Sequence, residues 1–112
     1  MDIHAILDAL CVPDNDTRRA AEASYEAAKT STPEATAGAL VGAMVSPEIQ
    51  SHLKGLAAVL LRRLISGTRS EWSAMSPAAQ EAIKAALLQG LTIEVEEHVR
   101  RKICDALAEL AA

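Results

Sequence analysis

Apolar residues recur at helical spacing in six stretches of the chain, and period-two alternation is not sustained over any useful length. The first set is Ile3, Ile6, Leu7 and Leu10, at i, i+3, i+4 and i+7, and it stops at Cys11-Val12-Pro13. A second helix opens at Asp14-Asn15-Asp16, whose short side-chain oxygens can cap free N–H groups, and turns Ala21, Tyr25 and Ala28 inward. The third covers residues 33–45 on Ala37, Leu40, Val41 and Met44, and the fourth covers residues 47–65 on Ile49, Leu53, Leu56, Leu60 and Leu64. Gly67, which tolerates positive φ, is expected to end the fourth. The fifth begins near Pro77 with Ala79, Ile83, Ala86, Leu87 and Leu91 inward. The sixth begins near Ile93 with Val95, Val99, Ile103, Ala106, Leu107 and Leu110 inward. This pattern predicts an all-α fold.

Three of the four prolines follow a hydroxyl residue, as Thr32-Pro33, Ser46-Pro47 and Ser76-Pro77. A proline in the first helical turn loses no hydrogen bond, so each pair reads as a helix start. Short turns then pair the helices, and only residues 66–75 form a longer connection, holding Trp72 as a plug over a hairpin end. A repeat underlies the pattern. Arg18, Lys54 and Arg100 each follow an opening turn on helices two, four and six, at offsets of 36 and 46 residues. Three residues onward lie Ala21, Ala57 and Ile103, and seven onward Tyr25, Leu61 and Leu107. That spacing brackets the roughly 40 to 47 residues of stacked helical-hairpin repeats of the HEAT or armadillo kind. The expectation is one domain, residues 1–112, of about three antiparallel hairpins at residues 1–30, 33–66 and 70–111. Asp14, Gln50 and Glu96 stand four residues before the repeated bases, placed for i, i+4 pairs or a ladder between repeats.

Composition narrows the functional classes. With no Phe and 23 Ala, the core must be aliphatic and its helices must approach closely. Gly38 and Gly42 form a GxxxG string that reads as one such approach. The longest uncharged stretch, residues 35–47, is too short to cross a bilayer, and the start of the chain lacks a secretory pattern. Cys11 and Cys104 stand in no metal or redox spacing and read as buried small hydrophobes. A net charge of −4 speaks against sequence-independent nucleic-acid binding. His4, His52 and His98 lie about a hairpin apart, and Glu94-Val95-Glu96-Glu97-His98 lacks the second imidazole of a zinc motif. No phosphate-cradling glycine string occurs, so neither an enzyme, a metal nor a cofactor is expected.

The bases are the most informative polar feature. Arg18-Arg19, Arg62-Arg63 and Arg100-Arg101-Lys102 all fall on the second helix of their hairpin. Second helices of a solenoid usually line its concave face, so recurring positive charge there suits a groove for an acidic protein partner. Any single pair reads more simply as a solvated flank with ion pairs to Glu22, Glu96, Glu97 or Asp105. Recurrence on three helices is what favours the groove.

These residues also resemble a known family. Pro13-Asp14-Asn15, then Arg18-Arg19-Ala20-Ala21-Glu22 and Tyr25-Glu26, is similar to the first HEAT repeat of importin-β (karyopherin-β) nuclear transport receptors. Leu56-Ala57-Ala58-Val59-Leu60-Leu61-Arg62-Arg63-Leu64-Ile65 resembles the second-repeat helix, and Arg100-Arg101-Lys102-Ile103-Cys104-Asp105 with Ala108-Glu109-Leu110 resembles the third. Their joint spacing is most like the importin beta-3 branch. Met75 stands where the family pattern places Leu, and the third helix is richer in Gly and Ala than the pattern.

The resemblance implies an N-terminal HEAT-repeat piece of a longer solenoid that binds Ran-GTP, with cargo proteins and nucleoporins engaged by the full-length receptor. Such a receptor shuttles between cytoplasm and nucleus, and Ran-GTP releases import cargo by favouring one superhelix curvature. It implies Lys54, Arg62 and Arg63 as partner contacts. The alternative is a general HEAT scaffold holding some other acidic protein. A missing next repeat would leave Val99, Ile103, Ala106, Leu107 and Leu110 of the last helix uncovered and prone to self-association.

Overall fold

The computed structural model describes residues 2–66, 72–94 and 96–111. It contains six helices among these residues and no strand: α1 (Ile3–Leu10), α2 (Asn15–Ser31), α3 (Pro33–Val45), α4 (Ser51–Ile65), α5 (Pro77–Ile93) and α6 (Glu97–Ala111). Side-chain oxygens start three of them. Asp2 accepts from the Ala5 N–H at 3.2 Å, Asp14 from Thr17 at 3.0 Å and Ser76 from Ala79 at 3.2 Å, each satisfying a backbone donor that the first turn leaves free. Thr32 works differently. Its hydroxyl donates back to the Ala28 carbonyl at 3.0 Å and closes α2, while its own carbonyl receives the Thr36 N–H and opens α3.

Two expected starts are displaced. Pro47 sits in a turn over residues 47–49, with Ser46 Oγ accepting from the Glu48 N–H, and α4 begins four residues later at Ser51. Ile49, within this turn, packs against the core. Helix α6 begins at Glu97 because α5 continues through Ile93 and the chain then extends at Glu94, which is drawn into the interior. Gly67 and Val95 lie outside the described residues.

The helices pair as three hairpins, α1/α2, α3/α4 and α5/α6. First helices stack in one layer, α1 on α3 and α3 on α5, and α6 packs along α4 in the other. The core runs between the layers. Leu7, Leu40, Met44, Leu53, Leu61, Leu64, Leu87 and Ile103 are fully buried, each worth about 1.5–3 kcal/mol of transfer free energy. Ala37, Ala57, Ala58 and Ala106 are also fully shielded, as close helix approach demands. Helix α3 is apolar on nearly every side because it is the middle member of its layer, in contact with α1, α2, α4 and α5.

The GxxxG expectation is corrected. A Cβ at Gly38 or Gly42 would meet nothing within 4 Å, and both glycines are exposed. The close approaches are elsewhere. A Cβ at Gly55 would lie 3.4 Å from the Lys102 side chain, and one at Gly90 would lie 3.0 Å from Val45 Cγ1. The cysteines are corrected too, since Cys11 and Cys104 are both exposed thiols. The uncovered face of α6 is corrected in part: Val99, Ile103 and Ala106 are entirely buried against α4 and α5, while Leu107 and Leu110 are only partly buried. Large exposed apolar side chains are found instead on α5, at Leu88 and Ile93. Trp72 is half-buried against the core, its carbonyl accepting from Gln80 Nε2 at 2.8 Å.

Candidate functional site

Helix α4 carries the three residues expected to meet a partner, and the structure sends them in three directions. Lys54 turns inward. Its Nζ lies 3.1 Å from Glu94 Oε2, with side-chain exposures of 14% and 6%, so Lys54 is a joint between the second and third hairpins rather than a solvent-facing base. Arg62 is half-exposed and reaches Glu109 of α6, Nε to Oε1 at 3.3 Å. Arg63 points the other way, into a cleft between α2 and α4. One residue along a helix rotates a side chain by about 100°, which separates the two arginines.

The other bases are largely engaged within the chain. Arg18 donates to Asn15 Oδ1, and Arg101 pairs with Glu97 at 3.1 Å. Arg100 donates to the Leu91 and Glu94 carbonyls, closing the C-terminal end of α5 where unpaired carbonyls and the helix dipole favour a cation. The stem of Lys102 lies over Gly55. All three clusters do sit on second helices, as the spacing predicts; acids on the same helix accompany the clusters of α2 and α6, whereas α4 carries none and Arg62 draws its acid, Glu109, from α6. The ladder expected from Asp14, Gln50 and Glu96 does not form. Asp14 caps α2, Gln50 makes no side-chain cap, and Glu96 lies 3.9 Å from His98.

Asp14 is held below the usual carboxylate range, first by the Thr17 hydroxyl, then by the Thr17 N–H, with Arg18 adding a smaller attraction. His4, His52 and His98 are exposed, and no group of three metal-ligating side chains occurs among the described residues. No described helix is long and apolar enough to cross a membrane.

The cleft measures about 420 Å³. Leu10, Tyr25, Leu56, Leu60 and Leu64 form its apolar floor, and Glu22, Glu26, Lys29 and Arg63 its charged rim. Lys29 is tied to Glu26 at 3.2 Å and stands 5.9 Å from the Tyr25 ring centre. An apolar floor with charge at its edge can take a protein side chain. Sequence reasoning missed two anchors, Glu94 and Glu34; the latter accepts from the Ser76 N–H at 2.9 Å and ties α3 to the start of α5. Neither carries a local signal, because each finds its partner about forty residues away.

The fold defined by these hairpins is the HEAT-repeat solenoid of the karyopherins. No protein-family model matches the chain. Among solved structures, Kap121p bound to RanGTP superposes with a TM-score of 0.83 at 25% identity, over 96% of this chain and 10% of Kap121p. Kap95p, in a structure where its binding induces the switch loops of RanGDP to adopt the GTP-bound conformation, superposes with a TM-score of 0.85 at 18% identity. That match covers 97% of this chain and 14% of Kap95p. The chain thus spans a small fraction of the length of either karyopherin.

Proposed function

We propose that this chain is the N-terminal HEAT-repeat portion of an importin-β-like nuclear transport receptor, and that its second-helix face contacts Ran in the GTP form. The supporting observation is the likeness of nearly the whole chain to Kap121p, a protein solved with RanGTP bound. Arg62 and Arg63 supply exposed positive charge on α4, while Lys54 sets the position of α4 against the third hairpin. The finer assignment is to the importin beta-3 branch, on the strings around Arg18, Arg62 and Arg100. Cargo proteins and nucleoporins belong to the full-length receptor, which moves between cytoplasm and nucleus. Its action is non-enzymatic: Ran binds one superhelix shape better than another and shifts the population toward it.

An NMR titration of the isotopically labelled chain with Ran, loaded with a non-hydrolysable GTP analogue or with GDP, tests the reading and registers weak binding. The expected result is tighter binding of the GTP form, with perturbed α4 resonances, and loss of that binding in the Arg62→Glu/Arg63→Glu variant. Equal response to both nucleotide states, or none, overturns it in favour of a general scaffold for another acidic protein.

A further inference from the structure

The two joints of the solenoid are built differently. Between the second and third hairpins, α4 lies along α6, Lys54 meets Glu94, Arg62 meets Glu109 and Glu34 holds the start of α5. Between the first and second hairpins, α1 rests on α3 and α4, and Thr32 alone separates α2 from α3. The α2 and α4 backbones scarcely approach each other, and the 420 Å³ cleft lies between them. Its walls carry opposite charge. Arg63 stands on the α4 side, Glu22 and Glu26 on the α2 side. Lys29 already occupies Glu26, which leaves Glu22 as the carboxylate available to a cation on the facing wall.

We infer that the first hairpin is a swinging element and that Arg63 and Glu22 are its latch. With α1 and Thr32 as the pivot, α2 closes on α4, an Arg63–Glu22 ion pair forms across the cleft, and the remaining exposed surface of Leu10 and Leu56 is covered. Arg62 and Arg63 then do equivalent work in opposite directions: the Arg62–Glu109 pair is made in this structure, and the Arg63–Glu22 pair is open. If Arg63 also meets a partner, a consequence that rests on the function proposed above, closure and partner binding compete for one guanidinium and the latch sets how readily that face is offered.

The test needs no partner, so the latch and the receptor reading fail independently. Cys11 and Cys104 are exposed and are replaced by Ser, and spin labels are placed at Ala23→Cys on α2 and His52→Cys on α4. Distances are measured by double electron–electron resonance at about 0.01 M and about 1 M salt, between which the screening length falls from about 30 to about 3 Å. Two distances are expected, the shorter depleted at high salt, lost in Arg63→Glu, restored in Arg63→Glu/Glu22→Arg, and kept in Arg19→Gln. Should Arg63→Glu lose helical circular dichroism, Glu22→Gln supplies the same comparison. A single distance indifferent to salt, or a short distance that survives removal of Arg63 or Glu22, overturns the latch.

Discussion

Lys54 Nζ and Glu94 Oε2 lie 3.1 Å apart with both side chains shielded from water, joining the start of α4 to the link between α5 and α6. Glu94 Oε1 also accepts from the Glu96 N–H at 3.0 Å. A carboxylate at this depth is stable only because cation and amide together replace its water. The pair explains why α5 ends at Ile93: Glu94 must leave the helix to reach Lys54, and Arg100 then covers the carbonyls left behind.

Removing the cation therefore strands a buried charge. Lys54→Met should lower stability by about 3 kcal/mol, at the lower end of the range for such pairs because the Glu96 N–H remains. The double variant Lys54→Met/Glu94→Leu should recover most of that loss. Urea denaturation of the four members of the cycle measures the coupling.

The glycines divide by what stands opposite them. Gly38→Ala and Gly42→Ala meet open space, and each should stabilise α3 by about 0.5–1 kcal/mol through reduced unfolded-chain entropy and better helix propensity. Gly90→Ala would set a Cβ 3.0 Å from Val45 Cγ1, a β-branched group with little freedom to move, and should destabilise by about 1 kcal/mol. Thermal melts of the three single variants give the ordering.

Thr36 is fully buried, and its Oγ1 has no hydrogen-bond partner among the described residues. Replacement by the near-isosteric Val removes an unsatisfied hydroxyl and should raise stability by about 1 kcal/mol, whereas Thr36→Ala opens a void and should not. Chemical denaturation of both variants separates the two effects.

The Asp14 cap gives the chain a pH signature. Because its carboxyl titrates lower in the folded than in the unfolded state, its contribution is complete above the ordinary value of about 3.8 and is lost as pH falls through the folded value. Asp14→Ala should melt below the wild type at pH 7, and the gap should narrow below about pH 4. Melting curves across pH 2–7 follow it.

Self-association through the last hairpin is expected to use the exposed Leu88 and Ile93 of α5 and the partly buried Leu107 and Leu110 of α6, not the fully buried Val99, Ile103 and Ala106. Leu88→Lys should lower a concentration-dependent sedimentation coefficient while leaving helicity intact, whereas Ile103→Lys, at a fully buried position, should unfold the chain. Sedimentation velocity with parallel circular dichroism distinguishes them.

The placement of Ala21, Tyr25, Leu40, Leu53, Ile83 and Ile103 in the core was legible in the sequence, because helical periodicity and burial on one face are the same fact stated twice. The caps at Asp14 and Ser76 were legible for the same reason: a cap is made within four residues. Pro47 shows where local rules stop, since it stands in a turn and α4 begins only at Ser51. Tertiary structure alone decided that Lys54 faces Glu94, that Arg62 and Arg63 part toward different helices, and that α2 and α4 leave a cleft while α4 and α6 close. Each of these depends on residues some forty positions apart, and a charge on a helix surface is bound or free according to what the next repeat brings against it.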